Sequence, residues 1–400
     1  MHMMPKGMTG LKGSMGPIKD VHRLCNALDL EIRDLSAALR LPEETRFKSV
    51  PEKKKPDGSE RKVFNPHPLI RKIQRRLVSR ILSRPRAFQW PEHLYGSIPN
   101  VTNKIGVVAS KDYVACAARH CGAKSILQID IKDFFENVHP AAVLEVFEKL
   151  LGYDGLVARI LARICTHKGG LPQGGIASSY LAMLSLHDVE SKVVERLRLK
   201  SLVYTRYVDD ITVSSKVANY DFSYARRVIE DMLVQKDLPL NNRKTRIQYV
   251  SSEPLTVHGL RVAFSSPRLP SKEVSNIRSS VRFIEKLYKE GMFRRSASYR
   301  RAYNRCMGRV NKLKRVGHRQ HADLIRRLRE VHPECSRNDL IRAYDRTLRL
   351  EREHPLKSDT FGYYKRYFVL MDRLNLVQRR FPRIAEGLRR RLREIKPNFE

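Results

Sequence analysis

The stretch Leu202-Val203-Tyr204-Thr205-Arg206-Tyr207-Val208-Asp209-Asp210-Ile211-Thr212-Val213-Ser214 decides how this chain is read. β-Branched and aromatic residues flank Asp209-Asp210 and alternate in polarity, the pattern of a β-hairpin with two adjacent carboxylates at its tip. Like charges side by side repel and aspartate is a poor strand former, so the pair calls for a partner of opposite charge, most simply a divalent metal ion. A solvated acidic turn can carry the same residues. The surrounding chain has to choose between the two.

A third carboxylate comes from upstream. Ser125-Ile126-Leu127-Gln128-Ile129-Asp130 reads as a buried strand ending in an acid, followed by Lys132-Asp133-Phe134-Phe135 and a helix expected over Pro140–Leu151. A strand ending in Asp beside a hairpin tipped with Asp-Asp would gather three carboxylates at one sheet edge. Two divalent cations about 4 Å apart need bridging carboxylates of this kind, and that arrangement serves phosphoryl transfer.

Other segments supply candidate contacts. Leu171-Pro172-Gln173-Gly174-Gly175 is a turn leading into a helix expected over Ile176–Arg196. Its glycines would let a base pair or nucleotide approach the backbone, although turns also use glycine for steric reasons alone. Lys48–Pro68 holds Lys53-Lys54-Lys55, the turn signal Pro56-Asp57-Gly58 and Arg61-Lys62. It reads as a basic β-hairpin suited to gripping phosphates, or as a solvated charge run. Helical periodicity predicts helices near Ile18–Leu28, Glu31–Leu41, Leu69–Leu82, Lys111–Cys121 and Tyr224–Val234. Strands are expected near Arg246–Val250 and over Thr256–Val262.

Composition narrows the partner. The 400 residues carry a net charge of +36, which fits a polyanion and above all nucleic acid. No stretch approaches the roughly 20 apolar residues of a membrane span and no signal peptide opens the chain, so no membrane partner and a cytoplasmic location are expected. The six cysteines form no Cys-x-x-Cys pair and read as buried or inert thiols. Ser271–Glu400 holds 35 Lys/Arg against 15 Asp/Glu in helix-period sequence, with breaks expected near Pro333, Pro355 and Pro382. Tyr299, Tyr303, Phe361, Tyr363, Tyr364, Tyr367 and Phe368 are interleaved with these charges, a mixture suited to phosphate neutralisation and base stacking, with some of the rings in the core.

In this order the segments resemble the blocks of reverse transcriptases: Ile129-Asp130-Ile131-Lys132-Asp133-Phe134-Phe135, Leu171-Pro172-Gln173-Gly174-Gly175, Tyr207-Val208-Asp209-Asp210, Lys244-Thr245 and His258-Gly259-Leu260. Gly308-Arg309-Val310-Asn311-Lys312-Leu313 resembles a thumb block. Within the family the chain is most similar to bacterial retron (msDNA-synthesising) or related antiphage-defence enzymes. Their Asn-Ala-x-x-His block matches Cys116-Ala117-Ala118-Arg119-His120 with Cys for Asn, and their Val-Thr-Gly matches Val257-His258-Gly259 with His for Thr.

The resemblance implies an α+β, right-hand polymerase fold in three parts. Residues 1–47 would form an N-terminal tail and helices, 48–268 the fingers and palm, and 269–400 a basic helical thumb and C-terminal nucleic-acid-binding region. It implies that Asp130, Asp209 and Asp210, with the Ile131 carbonyl, hold two Mg²⁺ ions, for which Mn²⁺ can substitute. Phe135 would be the steric gate against a 2′-hydroxyl. Gln173 and Gly174 would lie near the incoming nucleotide, Arg61 or Lys62 would touch its triphosphate, and Lys244 would protonate the pyrophosphate. The implied partners are a structured non-coding RNA as template and possible primer, the DNA product, deoxynucleoside triphosphates and an effector protein. The readings set against this are a defence reverse transcriptase with another template or untemplated synthesis, and a catalytically silent nucleic-acid scaffold.

Overall fold

The computed structural model describes residues 16–50, 62–84, 89–102 and 108–399, and the chain divides into two compact units after Arg268. The first unit is built on a sheet of five strands, β1 Leu94–Tyr95, β2 Ser125–Asp130, β3 Val203–Tyr207, β4 Asp210–Ser215 and β5 Arg246–Tyr249. Their spatial order is β1-β3-β4-β2-β5. The β1–β3 pair is parallel, whereas β3–β4, β4–β2 and β2–β5 are antiparallel. β2 buries Ile126, Leu127 and Ile129, and β4 buries Ile211 and Val213, all at 1% exposure or less. Consecutive apolar residues in β2 face both sides of the sheet, which is why it reads as a continuous run rather than an alternation.

Among the described residues, the helices of six residues or more that accompany this sheet are α1 Val21–Leu28, α2 Ile32–Arg40, α3 Pro68–Leu77, α4 Tyr113–Ala118, α5 Pro140–Glu145, α6 Gly155–Cys165, α7 Ser178–Leu184, α8 Glu190–Leu199 and α9 Ser223–Val234. Asp20, Asp112 and Asp154 cap α1, α4 and α6 by accepting from backbone N–H groups of the first turn. One core joins Leu24 and Leu28 of α1, Ile70, Ile73 and Leu77 of α3, Leu161 of α6, Leu181 of α7 and Ile229 of α9. The N-terminal helices therefore belong to the same core as the sheet. Strands Phe47–Val50 and Val63–Pro66 pair antiparallel; the lysine run, the turn signal and Arg61 between them lie outside the described residues.

Two expectations are corrected within this unit. The helix expected over Ile176–Arg196 is two helices, α7 and α8. At the break Ser185 Oγ donates to the Ala182 carbonyl at 2.9 Å and His187 Nδ1 lies 3.0 Å from the Leu184 carbonyl oxygen, so side chains compete for carbonyls the helix would use. The strand expected over Thr256–Val262 is instead a hairpin of Thr256–Val257 and Leu260–Arg261. His258 and Gly259 take φ values of 49° and 77° at its turn, which suits a two-residue loop.

The second unit is helical: α10 Ser271–Lys289, α11 Ala297–Arg315, α12 His321–Glu330, α13 Arg337–Lys357, α14 Phe361–Arg380 and α15 Pro382–Glu394. Ala343 and Leu350 of α13 pack with Tyr363, Tyr367 and Leu370 of α14 and Leu388 and Leu392 of α15. The break expected at Pro355 does not occur, since the proline sits inside α13 two residues before its end. The proline lacks the N–H that would donate to the Glu351 carbonyl, and the helix runs only two residues past it. Tyr299, Tyr303, Tyr363 and Tyr367 are core, whereas Phe361 and Phe368 remain 50% and 44% exposed. Among the described residues no helix is long and apolar enough to cross a membrane.

Candidate active site

Antiparallel register places Asp130, the last residue of β2, directly opposite Asp210, the first of β4. Tyr207 also pairs with Asp210, so Val208 and Asp209 form a two-residue loop between β3 and β4. Val208 sits at φ 60°, an unfavourable conformation for a β-branched residue that persists only where its surroundings impose it. The surroundings here are explicit. Arg206, with no exposed surface, donates from Nη1 to the Val208 carbonyl at 3.0 Å. Its Nε and Nη2 fork onto Glu190 at 2.6 and 2.7 Å, and Nη2 also donates to the Met183 carbonyl at 2.8 Å. Tyr204 donates its hydroxyl to Glu190 at 2.7 Å. Burial pushes the Glu190 carboxyl up, but the adjoining Arg206 guanidinium and its hydrogen bonds outweigh that and hold it well below the usual carboxylate range. On the other side Gly96, at φ 109°, leaves room for the loop: a Cβ there would lie 2.8 Å from Val208 Cγ2.

The carboxylates differ in their partners. Asp130 accepts from Lys244 Nζ at 3.0 Å and from Asn241 Nδ2 at 2.9 Å. The hydrogen bond to Asp130 raises the Lys244 ammonium above its ordinary value. Asp209 accepts at its backbone carbonyl from the Ile131 N–H at 3.0 Å, which ties the hairpin tip to the end of β2. Asp210 is pushed up to about 6, first by burial and then by the negative charge of Asp209 and Asp130.

These residues meet the requirements of a divalent cation only in part. Two carboxylates face each other, and one of them ionises reluctantly because it is buried and beside like charges, a condition a bound cation would relieve. Among the described residues, however, no group of three or more His, Cys, Asp or Glu side chains is arranged to hold a metal ion. The oxygens of Asp130 are instead engaged by Lys244 and Asn241. The expected three-carboxylate set thus converges on one end of the sheet without closing into a ligand cage.

Beside Asp210 lies a polar cluster. His258 Nδ1 is 3.9 Å from Asp210 Oδ2, its ring centroid is 4.6 Å from that of Tyr207, and its Nε2 is 3.3 Å from Cys116 Sγ. Cys116 Sγ in turn lies 3.3 Å from Thr205 Oγ1. The buried His120 bridges Ser214 and Thr205 at 2.7 Å from each ring nitrogen. Burial pushes His258 down to about 4 and His120 to about 3, and Cys116 up to about 12, so all three are neutral at pH 7.

The remaining expected residues sit as follows. Phe135 is half-buried in the single turn Phe134–Asn137, and its carbonyl accepts from the Leu171 N–H at 2.8 Å, joining that turn to the Pro172-Gln173-Gly174 segment. The Gln173 carbonyl accepts from the Phe64 N–H at 2.7 Å. Gly174, at φ 107°, packs so closely that a Cβ would come within 2.2 Å of the Phe64 carbonyl oxygen. The close approach this glycine serves is therefore made by the chain's own Val63–Pro66 strand. The fully buried Gln74 fastens the segment from behind, accepting from the Ile176 N–H at 2.8 Å and donating to the Ile164 carbonyl at 2.9 Å. Lys62 is exposed. Glu190, Asn241 and the contacts of Arg206 and His258 were not signalled in the sequence as parts of the site, although Arg206 lies within the hairpin stretch itself.

Comparison with known proteins places the chain in a family. Residues 53–283 match the family model described as reverse transcriptase (RNA-dependent DNA polymerase). The chain is 40% identical over 390 residues to the retron Ec48 reverse transcriptase of Escherichia coli, covering 96% of this chain and 94% of that protein. It is 29% identical over 279 residues to the retron Se72 reverse transcriptase of Salmonella heidelberg (strain 579083-10), covering 68% and 69%. A solved telomerase from Candida albicans, in complex with a fragment of telomeric RNA, aligns with 90% of this chain and 68% of its own at 13% identity and a TM-score of 0.38.

Proposed function

The chain belongs to the reverse transcriptases, RNA-directed DNA polymerases, and to those of bacterial retrons; we propose that its template is part of one structured non-coding RNA, which it copies into DNA at the end of β2 and β4. The observation that carries the placement of the chemistry is the register of Asp130 opposite Asp210, with Asp209 between them and β3. Asp130, Asp209 and Asp210, with the Ile131 carbonyl, would hold two Mg²⁺ ions, or Mn²⁺ in their place, which supply Lewis-acid activation of a hydroxyl nucleophile and charge neutralisation at the leaving pyrophosphate. Lys244, 62% exposed at its side chain, is the group that would yield Asp130 to such ions and then stand ready as proton donor to the pyrophosphate. Phe135 would exclude a ribose 2′-hydroxyl. Gln173, Gly174 and Lys62, with Arg61, would face the incoming nucleotide. In this reading residues 48–268 act as fingers and palm, and the basic 269–400 as thumb and RNA-holding region.

Support for a specific RNA comes from charge. The excess of 35 Lys/Arg over 15 Asp/Glu in Ser271–Glu400 exceeds what a few base pairs of template and primer need, while selection of one RNA must come from its loops and shape. The reading extends to an antiphage role with an effector protein as partner. Its test is to sequence RNA and DNA co-purified with the protein at about 0.5 M salt, where non-specific phosphate contacts are weakened. One dominant RNA with a DNA copy of part of it supports the reading, and a random sample of cellular RNA contradicts it.

A further inference from the structure

We propose that a cleft in the second unit, walled by α11, α13 and α14, is a binding site for a compact cluster of phosphate groups. The cleft has a volume of about 450 Å³ and is lined by Arg300, Arg301, Arg342, Arg346, Arg373 and Arg379, with Asp339 and Asp372 as its acids. Helical spacing explains the convergence. On α11 residues 297, 300, 301 and 304 recur at the spacing of one helix face, and on α13 so do 339, 342, 343 and 346. Two helices thus turn an arginine-bearing stripe toward one concavity, and α14 closes it.

The acids do not balance these charges. Asp339 is already taken by Arg300, at 2.7 Å, and by its capping-box role with Ser336 at the start of α13. Elsewhere in the unit arginines find carboxylates: Arg294 and Arg295 meet Glu334, Arg327 meets Glu285, Arg366 meets Glu353, and Arg391 forks onto Glu351. Arg342 and Arg346 stand four residues apart on one helix face, an arrangement of like charges that destabilises a helix unless something negative lies between them. Guanidinium groups suit phosphate, because their planar donors match its oxygens in pairs. The concave form favours clustered phosphates over a straight duplex backbone, which a flat stripe would serve.

Two sources present such a cluster: a sharp turn or 5′-triphosphate of an RNA, and a free nucleoside polyphosphate. The first rests on the function proposed above, and the second does not. The test uses the full chain, a variant carrying Arg342→Ala and Arg346→Ala, and a control carrying Arg352→Ala and Lys357→Ala. The control changes are exposed positions of the same helix outside the cleft. Calorimetric titration with inorganic tripolyphosphate and binding of a structured RNA hairpin across a salt series are measured for each. If the phosphates come from RNA, the slope of log affinity against log salt falls by roughly 1.5 in the cleft variant and not in the control. If they come from a free polyphosphate, the tripolyphosphate Kd rises at least about tenfold in the cleft variant alone, with the RNA slope unchanged. Equal behaviour of cleft variant and control in both measurements overturns the proposal. Extension of a generic primed RNA template by wild type and cleft variant at one rate leaves the polymerase reading standing whatever the cleft does. Failure of the wild type to extend any template would strike that reading and leave the cleft untouched.

Discussion

The Cys116 thiol and the Nε2 of His258 lie 3.3 Å apart although 142 residues separate them in the chain. Both positions depart from the blocks this chain resembles, with Cys where the pattern has Asn and His where it has Thr. The two departures touch each other, next to Tyr207 and Asp210. A contact of this kind makes substitutions interdependent. Cys116→Asn alone and His258→Thr alone should each lower polymerase activity and unfolding free energy, while the double variant recovers most of the loss. The predicted coupling is about 1–3 kcal/mol in a double-mutant cycle read by denaturant unfolding. Additive losses would show that the two positions vary independently.

The buried pair beneath the hairpin gives a second expectation. Removing one member of a buried ion pair leaves an uncompensated charge and costs about 3–5 kcal/mol. Glu190→Gln should therefore destabilise the first unit by about that amount. Because Arg206 also holds the Val208 carbonyl, activity should fall under conditions where the variant is still folded. A folded Glu190→Gln protein with wild-type kcat would mean that the pair supports the core and does nothing for the loop.

His120 predicts how stability responds to acid. Its folded value of about 3 lies below the ordinary 6.5, so between these values the unfolded chain binds a proton that the folded chain does not. Stability is therefore full above about pH 6.5 and is lost as pH falls toward 3. Between pH 7 and 5 this group should remove about 2 kcal/mol of unfolding free energy. Urea unfolding of wild type and His120→Gln at the two pH values checks it: the variant, although less stable at pH 7, should show a smaller pH dependence by about that amount. Equal pH dependence would mean that the imidazole titrates normally in the folded protein.

What could be read from the chain follows the range of each interaction. The strand Ser125–Asp130 and the hairpin around Asp209-Asp210 are local patterns, and their edges fall where β-branched runs meet acids. Gln173-Gly174 was legible as a turn, but its tight partner, the Phe64 backbone, lies over a hundred residues upstream and could not be inferred from glycine's permissiveness. Glu190 looked like one more polar residue inside a long helix. Its burial depends on the break after Leu184 and on Arg206, and neither leaves a periodic trace. Pro355 predicts a break because the residue lacks an N–H, and where the surrounding helix ends, at Lys357, is not written in that residue.

The most direct measurement is single-turnover incorporation of deoxynucleotides on a primed RNA template, by wild type and by Asp209→Asn, over a magnesium titration. The wild type should extend with DNA and require the metal. The variant should fold and bind RNA as before, yet lose around a thousandfold or more in rate, as expected when a charge-stabilising ligand worth several kcal/mol in the transition state is removed. A variant retaining a tenth of wild-type activity would contradict the assignment of the hairpin carboxylates as the catalytic centre.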